Sequence, residues 1–336
     1  MENKKKIVLT GDRPTGRLHL GHYVGSIQNR IKLQEEADQA FYMVADLQGL
    51  TDNADNPEKI RDNLVEVVLD NLACGLDPNK TTIYVQSMVP EIAKLTMLIL
   101  NLVTLSRLKQ NPTVKDEMKQ KGWGENLPAG FLCYPVSQAA DILIMKANLI
   151  PVGEDQKPMI EQTNEIVNDF NRIYAPIFDR VTHMVGDVPR LIGIDGNAKM
   201  SKSLNNCIYL SDSDEDIRKK VMSAYTDSTH IRVEDPGKIE GNVVFTYLDA
   251  FDTNKAEVAE LKKQYMAGGL GDVVLKERLI KVLIAVITPI REKRESLAQN
   301  KDKVIQIIKD GNMRAVEIAK QTMVEVRSAM KINYFE

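Results

Sequence analysis

Two short strings far apart in the chain carry the residue types that handle phosphate groups. They are HLGH at residues 19–22 and KMSKS at residues 199–203. The first follows an apolar run at residues 6–10 and a turn rich in glycine and proline, and it opens a predicted helix from about Tyr23. A helix N-terminus offers unpaired N–H groups and the positive end of a dipole, which suit a phosphate. Together, the two strings predict a nucleotide site.

The chemistry of each string follows from its side chains. His19 and His22 are three residues apart and therefore share one face of a helical turn, while Gly21 lets a flat group approach the backbone. Lys199 and Lys202 add two ammonium groups beside two hydroxyls, a cationic clamp for polyphosphate on a loop that closes and opens. Alone, the histidines are more typical of surface or capping residues, and a KxSK string is more typical of a solvated loop. Their joint occurrence favours the nucleotide site.

The elements around HLGH alternate between strands and helices. Strand-like runs lie at residues 7–10, 41–45 and 82–86, with a helix between the second and third that begins after Asn56 and ends near Gly75. A further helix is predicted at residues 91–105. This order predicts a Rossmann-type, doubly wound parallel sheet that binds its ligand at the carboxyl ends of the strands.

The second half of the chain has a different pattern. Helices are predicted at residues 131–148 and 158–172, and a flexible connection at residues 186–206. From residue 211 the pattern is almost entirely helical, with Ser213 as an N-cap and Thr288-Pro289 as the start of a late helix. We therefore predict an α/β fold with a catalytic domain at residues 1–204 and an all-helical domain at residues 205–336.

Composition limits the class of protein. The 336 residues are 43% hydrophobic and 27% charged, with a net charge of −3, which is ordinary for a soluble globular chain. Cys74, Cys133 and Cys207 form neither a zinc pattern nor a disulfide framework. Because no signal peptide or membrane-length apolar run is found, a cytoplasmic protein is expected.

Charge is unevenly distributed along the chain. Residues 255–331 hold 16 Lys and Arg against 10 Asp and Glu. Such a region could meet RNA phosphates. Charge alone, however, favours a solvated helix surface.

The sequence resembles the class I aminoacyl-tRNA synthetases over its whole length, and within them those that activate tryptophan. HLGH and KMSKS form the signature pair of that family. Three further segments carry the resemblance, at residues 11–16, 134–143 and 151–156.

The resemblance implies an enzyme that binds ATP, Mg²⁺ and L-tryptophan and transfers the amino acid to tRNA(Trp). It implies that the tryptophan carboxylate attacks the α-phosphate of ATP in line, without a protein nucleophile or protein metal ligands. His19, His22, Lys199 and Lys202 would be the catalytic residues. The residues implied for ATP binding are Arg13, Pro14, Thr15, Gly21, His22, Gly153, Glu154, Asp155, Leu191, Lys199, Met200, Ser201, Lys202 and Ser203.

Asp141 stands out because it lies in an otherwise apolar helix, where an unpaired buried carboxylate would be costly. It either faces solvent or accepts a hydrogen bond at the end of an amino-acid pocket. The resemblance implies that it accepts the indole N–H of tryptophan and that Tyr134 and Gln138 hold the substrate's ammonium group. Gln156 is also implied in substrate binding.

Two other enzymes remain open as alternatives. A tyrosyl-tRNA synthetase has a similar pocket, although its usual Gly-Gly-x-Asp-Gln string differs from residues 151–156 here and its KMSKS is usually altered. Arg13 and Gln48 replace residues that are common in the family. A nucleotidylyltransferase shares HxGH and the sheet, but it would not need residues 211–336.

The resemblance also implies how the chain assembles and meets its partner. The helical domain would dock the tRNA anticodon, and the protein would be a homodimer. The apolar helix at residues 131–149 is expected near the dimer interface.

Overall fold

The computed structural model describes residues 5–120, 122, 127–153, 156–184, 191–196 and 200–335, without the side chains of Gln120 and Ser203. Within them, five strands form one parallel sheet in the order β3-β2-β1-β4-β5. The strands are β1 (Ile7–Asp12), β2 (Gln39–Val44), β3 (Thr81–Val85), β4 (Leu149–Pro151) and β5 (Thr182–Met184). The order reverses between β1 and β4, where ligands bind in open α/β sheets. The predicted fold class and its first three strands are confirmed.

Helices surround this sheet and dominate the described chain after residue 213. In the first half they are α1 (Leu20–His22), α2 (Gln28–Glu36), α3 (Asp46–Leu50), α4 (Pro57–Cys74), α5 (Pro90–Ile99), α6 (Leu105–Gln110), α7 (Pro112–Gln120), α8 (Ala129–Ile144) and α9 (Lys157–Ile173). In the second half they are α10 (Asp214–Met222), α11 (Val243–Phe251), α12 (Lys255–Ala267), α13 (Asp272–Ala298) and α14 (Lys301–Ala329). A π-helical turn at Tyr23–Ile27 joins α1 to α2.

Capping residues set several helix ends where the sequence predicts them. The side chain of Asn56 accepts from Lys59 N, and Gly75 ends α4 with φ of 119°, a left-handed conformation that favours glycine. Ser213 and Asp216 form a capping box at the start of α10. Polar caps are local signals, so they can be read without knowledge of the tertiary fold.

Several predicted helix bounds are wrong. The helix expected over residues 91–105 ends at Ile99, the helix expected over residues 131–148 spans Ala129–Ile144, and α13 runs through Pro289 instead of starting there. Proline inside a helix removes one backbone hydrogen bond. Leu283, Ile287 and Ile290 are buried on the same helix, and their packing outweighs that loss.

The sheet separates two apolar clusters. One cluster joins one face of the sheet to α4 and to the helices after residue 213. The other cluster joins the opposite face of the sheet to α5, α8 and α9. Helix α14 also reaches the second cluster through Ala315, Ala319 and Val326. Elements on the two sides of residue 204 therefore pack against each other. The domain boundary at that residue stays a prediction. Within the described residues, no helix combines the length and apolar character needed to cross a membrane.

Helix α14 lies against the outer edge of β3. The backbone N–H of Val85 donates to Oδ1 of Asn312 at 2.8 Å. A Cβ placed on Gly311 would lie 1.7 Å from the carbonyl oxygen of Ile83. The two backbones therefore meet at a position where a side chain does not fit. The helix covers a strand edge that would otherwise be open for pairing.

Replacing Gly311 by alanine is expected to destabilise the fold by about 3 kcal/mol, at the upper end of overpacking costs, because the contact is with rigid backbone. Urea unfolding measures the change. The matched control is Gly130→Ala in α8, since a Cβ there meets nothing within 4 Å. The control is expected to be neutral or stabilising, by up to about 1 kcal/mol. Equal stability of both variants would contradict the close contact.

Candidate active site

The HLGH string forms the turn after β1 and begins a continuous helical run. His19 is the N-cap of α1, with extended backbone angles, and its Nδ1 accepts from the N–H of Gly21 at 3.1 Å. Nδ1 of His22 accepts from the N–H of His19 at 3.2 Å. The two ring centroids are 3.8 Å apart. The prediction that both histidines lie together is confirmed, and the helix starts at Leu20, three residues earlier than predicted.

The KMSKS region docks directly on this turn. Leu20 N donates to the carbonyl of Ile208 at 3.0 Å, and Leu210 N donates to that of Leu18 at 3.1 Å. This antiparallel bridge, centred on His19 and Tyr209, fixes the segment that follows KMSKS. The two signature strings are therefore neighbours in the fold.

Two residues of KMSKS contact the first turns of the chain. The sulfur of Met200 is buried and lies 3.3 Å from the N–H of Gly21, within hydrogen-bond reach. Nζ of Lys202 donates to the carbonyl of Gly16 at 2.7 Å. Gly16 has φ of 133°, a conformation that favours glycine. Burial lowers the pKa of Lys202, although the Asp12 and Asp70 charges oppose that shift.

The other predicted ATP-binding residues are distributed around this centre. Met200 N donates to the carbonyl of buried Leu191, and Ser201 N donates to Oδ1 of Asn206. Lys199, Glu154 and Asp155 lie outside the described residues, as does the side chain of Ser203.

Two further turns carry predicted residues near the same strand ends. Arg13 pairs with Asp52 at 2.8 Å, and Pro14 and Thr15 follow it in the turn after β1. Gly153 follows β4, and its carbonyl accepts from Gln156 N at 3.0 Å. Gln156 is the N-cap residue of α9.

A buried polar cluster fixes the end of β1. Asp12 forms an ion pair with Arg30 at 2.8 Å and accepts from the hydroxyl of Tyr42 and the amide of Asn71. Burial by itself would raise the pKa of Asp12, but the adjacent Arg30 guanidinium holds it well below its usual range. The turn that leads to HLGH therefore starts from a rigid anchor. This cluster was not predicted from the sequence.

Asp141 is 1% exposed on α8 and is held by two glutamine amides. Nε2 of Gln48 donates to Oδ2 at 2.8 Å, and Nε2 of Gln86 lies 2.9 Å from both carboxylate oxygens. Gln48 follows β2 in α3, and Gln86 follows β3. The solvent-facing alternative for Asp141 is therefore wrong.

The pKa values of two buried groups at this site, Asp141 and Tyr84, are raised. Burial raises the pKa of Asp141 to about 8, and the hydrogen bonds from Gln86 and Gln48 only partly oppose that shift. Burial also raises the pKa of Tyr84, and the Asp141 charge adds to it. The Tyr84 hydroxyl is buried and has no hydrogen-bond partner within the described part of the chain. A buried carboxylate whose pKa is strongly raised is a candidate for a functional site.

Tyr134 and Gln138 lie on the same helix as Asp141. The hydroxyl of Tyr134 donates to Oε2 of Glu117 at 3.1 Å, and Arg13 lies over its ring with a centroid distance of 5.9 Å. Gln138 is half-buried one turn later. The structure therefore brings Tyr134 to the turn after β1, in contact with the ATP-binding region predicted there.

Sequence reasoning missed Gln86 and Asp70. Gln86 was treated only as the end of a strand. Asp70 accepts the N–H of Leu18 at 2.9 Å and lies in an apolar stretch of α4. The signal that singled out Asp141, a carboxylate among apolar helix residues, applies equally to Asp70.

Comparison with known proteins gives a consistent result. The family model described as "tRNA synthetases class I (W and Y)" matches residues 1–288. A "Tryptophan--tRNA ligase" from Lactococcus lactis subsp. lactis is 56% identical, covering 99% of this chain and 99% of its own. A relative of the same name from Streptococcus pneumoniae is 55% identical over 98% of this chain and 99% of its own.

A solved structure agrees with these sequence relatives. The tryptophanyl-tRNA synthetase from Campylobacter jejuni, complexed with ADP and tryptophan, superposes with a TM-score of 0.84 at 30% identity. The match covers 97% of this chain and 99% of that one.

The fold and the paired signature strings define a class I aminoacyl-tRNA synthetase. Within that class, the chain belongs to the tryptophan–tRNA ligase family. The family resemblance found in the sequence is thus confirmed.

Proposed function

We propose that this chain activates L-tryptophan with ATP at the carboxyl ends of β1–β3 and transfers it from the adenylate to tRNA(Trp). One observation carries the proposal. Lys202 binds the turn that joins β1 to HLGH, while the carboxylate of Asp141 is held at the ends of β2 and β3. A phosphate-binding group and a buried hydrogen-bond acceptor therefore both lie at the carboxyl ends of neighbouring strands.

The reaction joins the tryptophan carboxylate to the α-phosphate of ATP and releases pyrophosphate. His19 and His22 contact ATP and stabilise the transition state at the α-phosphate, and Lys199 and Lys202 stabilise the charge that develops on pyrophosphate. Interactions that strengthen in the transition state accelerate the step. The terminal ribose of tRNA then takes the aminoacyl group from the adenylate.

The amino-acid pocket selects through a single hydrogen bond. The indole N–H of tryptophan donates to Asp141, whose oxygens can accept more bonds than the two glutamines supply. Tyr134 and Gln138 hold the ammonium group, and Gln156 also binds the substrate. A site arranged around one donor rejects analogues that lack it.

Mg²⁺ enters with ATP as part of the substrate. Within the described residues, no group of three or more His, Cys, Asp or Glu side chains could hold a metal ion. Mg²⁺ is commonly held by substrate phosphates and water with few protein ligands.

The proposal also covers the partner and the oligomeric state of the protein. Residues 205–336 form a helical domain that docks the tRNA anticodon, and the protein works in the cytoplasm as a homodimer. Support for the dimer comes from apolar side chains exposed beside α8, with Met97 68% and Leu105 65% exposed. Phe131 and Ile142 of α8 are buried inside the subunit, so α5 and α6 present this surface.

Exchange of labelled pyrophosphate into ATP tests the proposal, with tryptophan and tyrosine assayed separately. Exchange with tryptophan alone is expected. Exchange with tyrosine alone would preserve the mechanism and replace the substrate. Exchange with neither would favour a nucleotidylyltransferase.

Gly21→Ala is expected to raise the KM for ATP about tenfold and to leave tryptophan affinity within twofold. The new Cβ would lie 3.0 Å from the His19 ring, and a small displacement of a binding group has effects of this order or larger. Pyrophosphate exchange at varied ATP measures the change. Gly25→Ala is the matched control because a Cβ there meets nothing within 4 Å. An unchanged ATP KM for Gly21→Ala would contradict close packing at this turn.

A further inference from the structure

We propose that Asp70 and Arg294 are positioning residues for the adenylation site, through which the C-terminal helices hold the HLGH turn in place. The inference rests on the proposed function in one respect, namely that HLGH binds ATP. Neither residue touches substrate. Both act through the backbone of the residue that precedes His19.

One carboxylate joins two distant parts of the chain. Asp70 lies on α4 and is 1% exposed. Its Oδ2 accepts from the backbone N–H of Leu18 at 2.9 Å, and its Oδ1 accepts from Nε of Arg294 on α13. The side chain therefore connects the start of the HLGH turn directly to the C-terminal helices.

A second carboxylate fixes the orientation of Arg294. Nη2 of Arg294 also binds Glu66, which lies one helical turn before Asp70 on α4. Nζ of Lys301 donates to the other oxygen of Glu66 at 2.9 Å. A planar guanidinium can bind two carboxylates at that spacing, whereas a lysine offers a single charged point. The geometry is specific to arginine.

The Leu18 contact matters because that backbone is fixed on both sides. Its carbonyl accepts from Leu210 in the bridge that follows KMSKS, while its N–H has Asp70. Loss of Arg294 would leave Asp70 buried and uncompensated, and burial already raises its pKa. A protonated Asp70 would hold the turn less firmly. The charge of Asp70 also opposes the lowering of the Lys202 pKa by burial.

Arg294→Gln is the principal test, with Arg294→Lys and Asp70→Asn beside it. Pyrophosphate exchange gives kcat and KM for ATP, equilibrium dialysis gives Mg·ATP and tryptophan affinities, and thermal melting reports folding. For Arg294→Gln we expect kcat/KM for ATP to fall between about 10-fold and 100-fold, as for a misplaced binding group. Tryptophan affinity is expected to stay within twofold. Arg294→Lys, which keeps the charge but only one contact, is expected to fall between wild type and Arg294→Gln.

A matched control breaks another ion pair between the C-terminal helices and the catalytic half. Glu325 on α14 binds Lys146, which follows α8. Glu325→Gln is expected to leave kcat/KM for ATP within twofold. The double variant Asp70→Asn/Arg294→Gln is expected to be no worse than the poorer single variant, since residues that act as a unit are not additive.

Three results would overturn the proposal. They are an unchanged kcat/KM for ATP in folded Arg294→Gln, an equal loss of tryptophan affinity, and an equal loss in Glu325→Gln. If Arg294→Gln does not fold, the same criteria apply to Arg294→Lys. Absence of tryptophan-dependent exchange in the wild type would contradict the proposed function instead, and the ATP affinities would still test the positioning role.

Discussion

Lys202→Ala is expected to slow adenylate formation about 10²-fold to 10³-fold while tryptophan affinity stays within twofold. The ammonium group of Lys202 lies at the turn after β1, bound to the Gly16 carbonyl, where the polyphosphate would lie. Removing a preorganised charge from developing negative charge has effects of this size. Single-turnover formation of the adenylate measures the rate, and equilibrium dialysis measures tryptophan binding.

The control for Lys202 is a lysine at the opposite end of the sheet. Lys80 directly precedes β3 and pairs with Glu35 at 2.6 Å, and Lys80→Ala is expected to keep the wild-type rate within threefold. Because burial lowers the pKa of Lys202, the wild-type rate should decline at a lower alkaline pH than an ordinary lysine would dictate. Lys202→Arg, which stays charged, should move that decline upward. Equal losses in adenylate formation and tryptophan binding for Lys202→Ala would contradict its role at the transition state.

Tryptophan affinity is expected to increase as the pH rises from 6 to about 8. With its pKa raised to about 8 by burial, Asp141 in the empty protein is mostly the neutral acid at pH 6 and mostly the carboxylate above pH 8. The carboxylate is the stronger acceptor for the indole N–H. If only that form binds, the dissociation constant falls up to about tenfold per pH unit below the pKa. Equilibrium dialysis at a series of pH values measures it.

Asp141→Asn supplies the comparison because it removes the titrating group and nearly preserves the shape. Its tryptophan affinity should be weaker and independent of pH over the same range. Asp141→Ala should lose about 10²-fold of the preference for tryptophan over its analogue with sulfur in place of the indole N–H. A pH slope that persists in Asp141→Asn, or unchanged discrimination in Asp141→Ala, would show that another group recognises the indole.

Local signals in the sequence account for much of the site. Alternating apolar runs and caps predict β1–β3 and α4. The position of HLGH after β1 then places it at the carboxyl ends of the strands. Asp141 stands out because a carboxylate among apolar helix residues is costly to bury without hydrogen-bond partners. These features depend on residues close together in the chain.

The remaining features depend on contacts between distant residues. Nothing near Gln86 or Gln48 in the sequence indicates that their amides meet on Asp141. Arg294 reaches Asp70 across 224 residues, and helical periodicity does not select its partner. Pro289 misleads for a related reason, since only tertiary packing overrides its local preference to start a helix.

The close fit of α14 on β3 has a consequence for the order of events during synthesis. A ribosome releases all five strands well before residue 301, so the sheet can form while the outer edge of β3 is still bare. Exposed strand edges pair readily with other chains. Completion of the last helix therefore ends the period in which the nascent protein depends on dilution or a chaperone to avoid pairing with other chains at that edge.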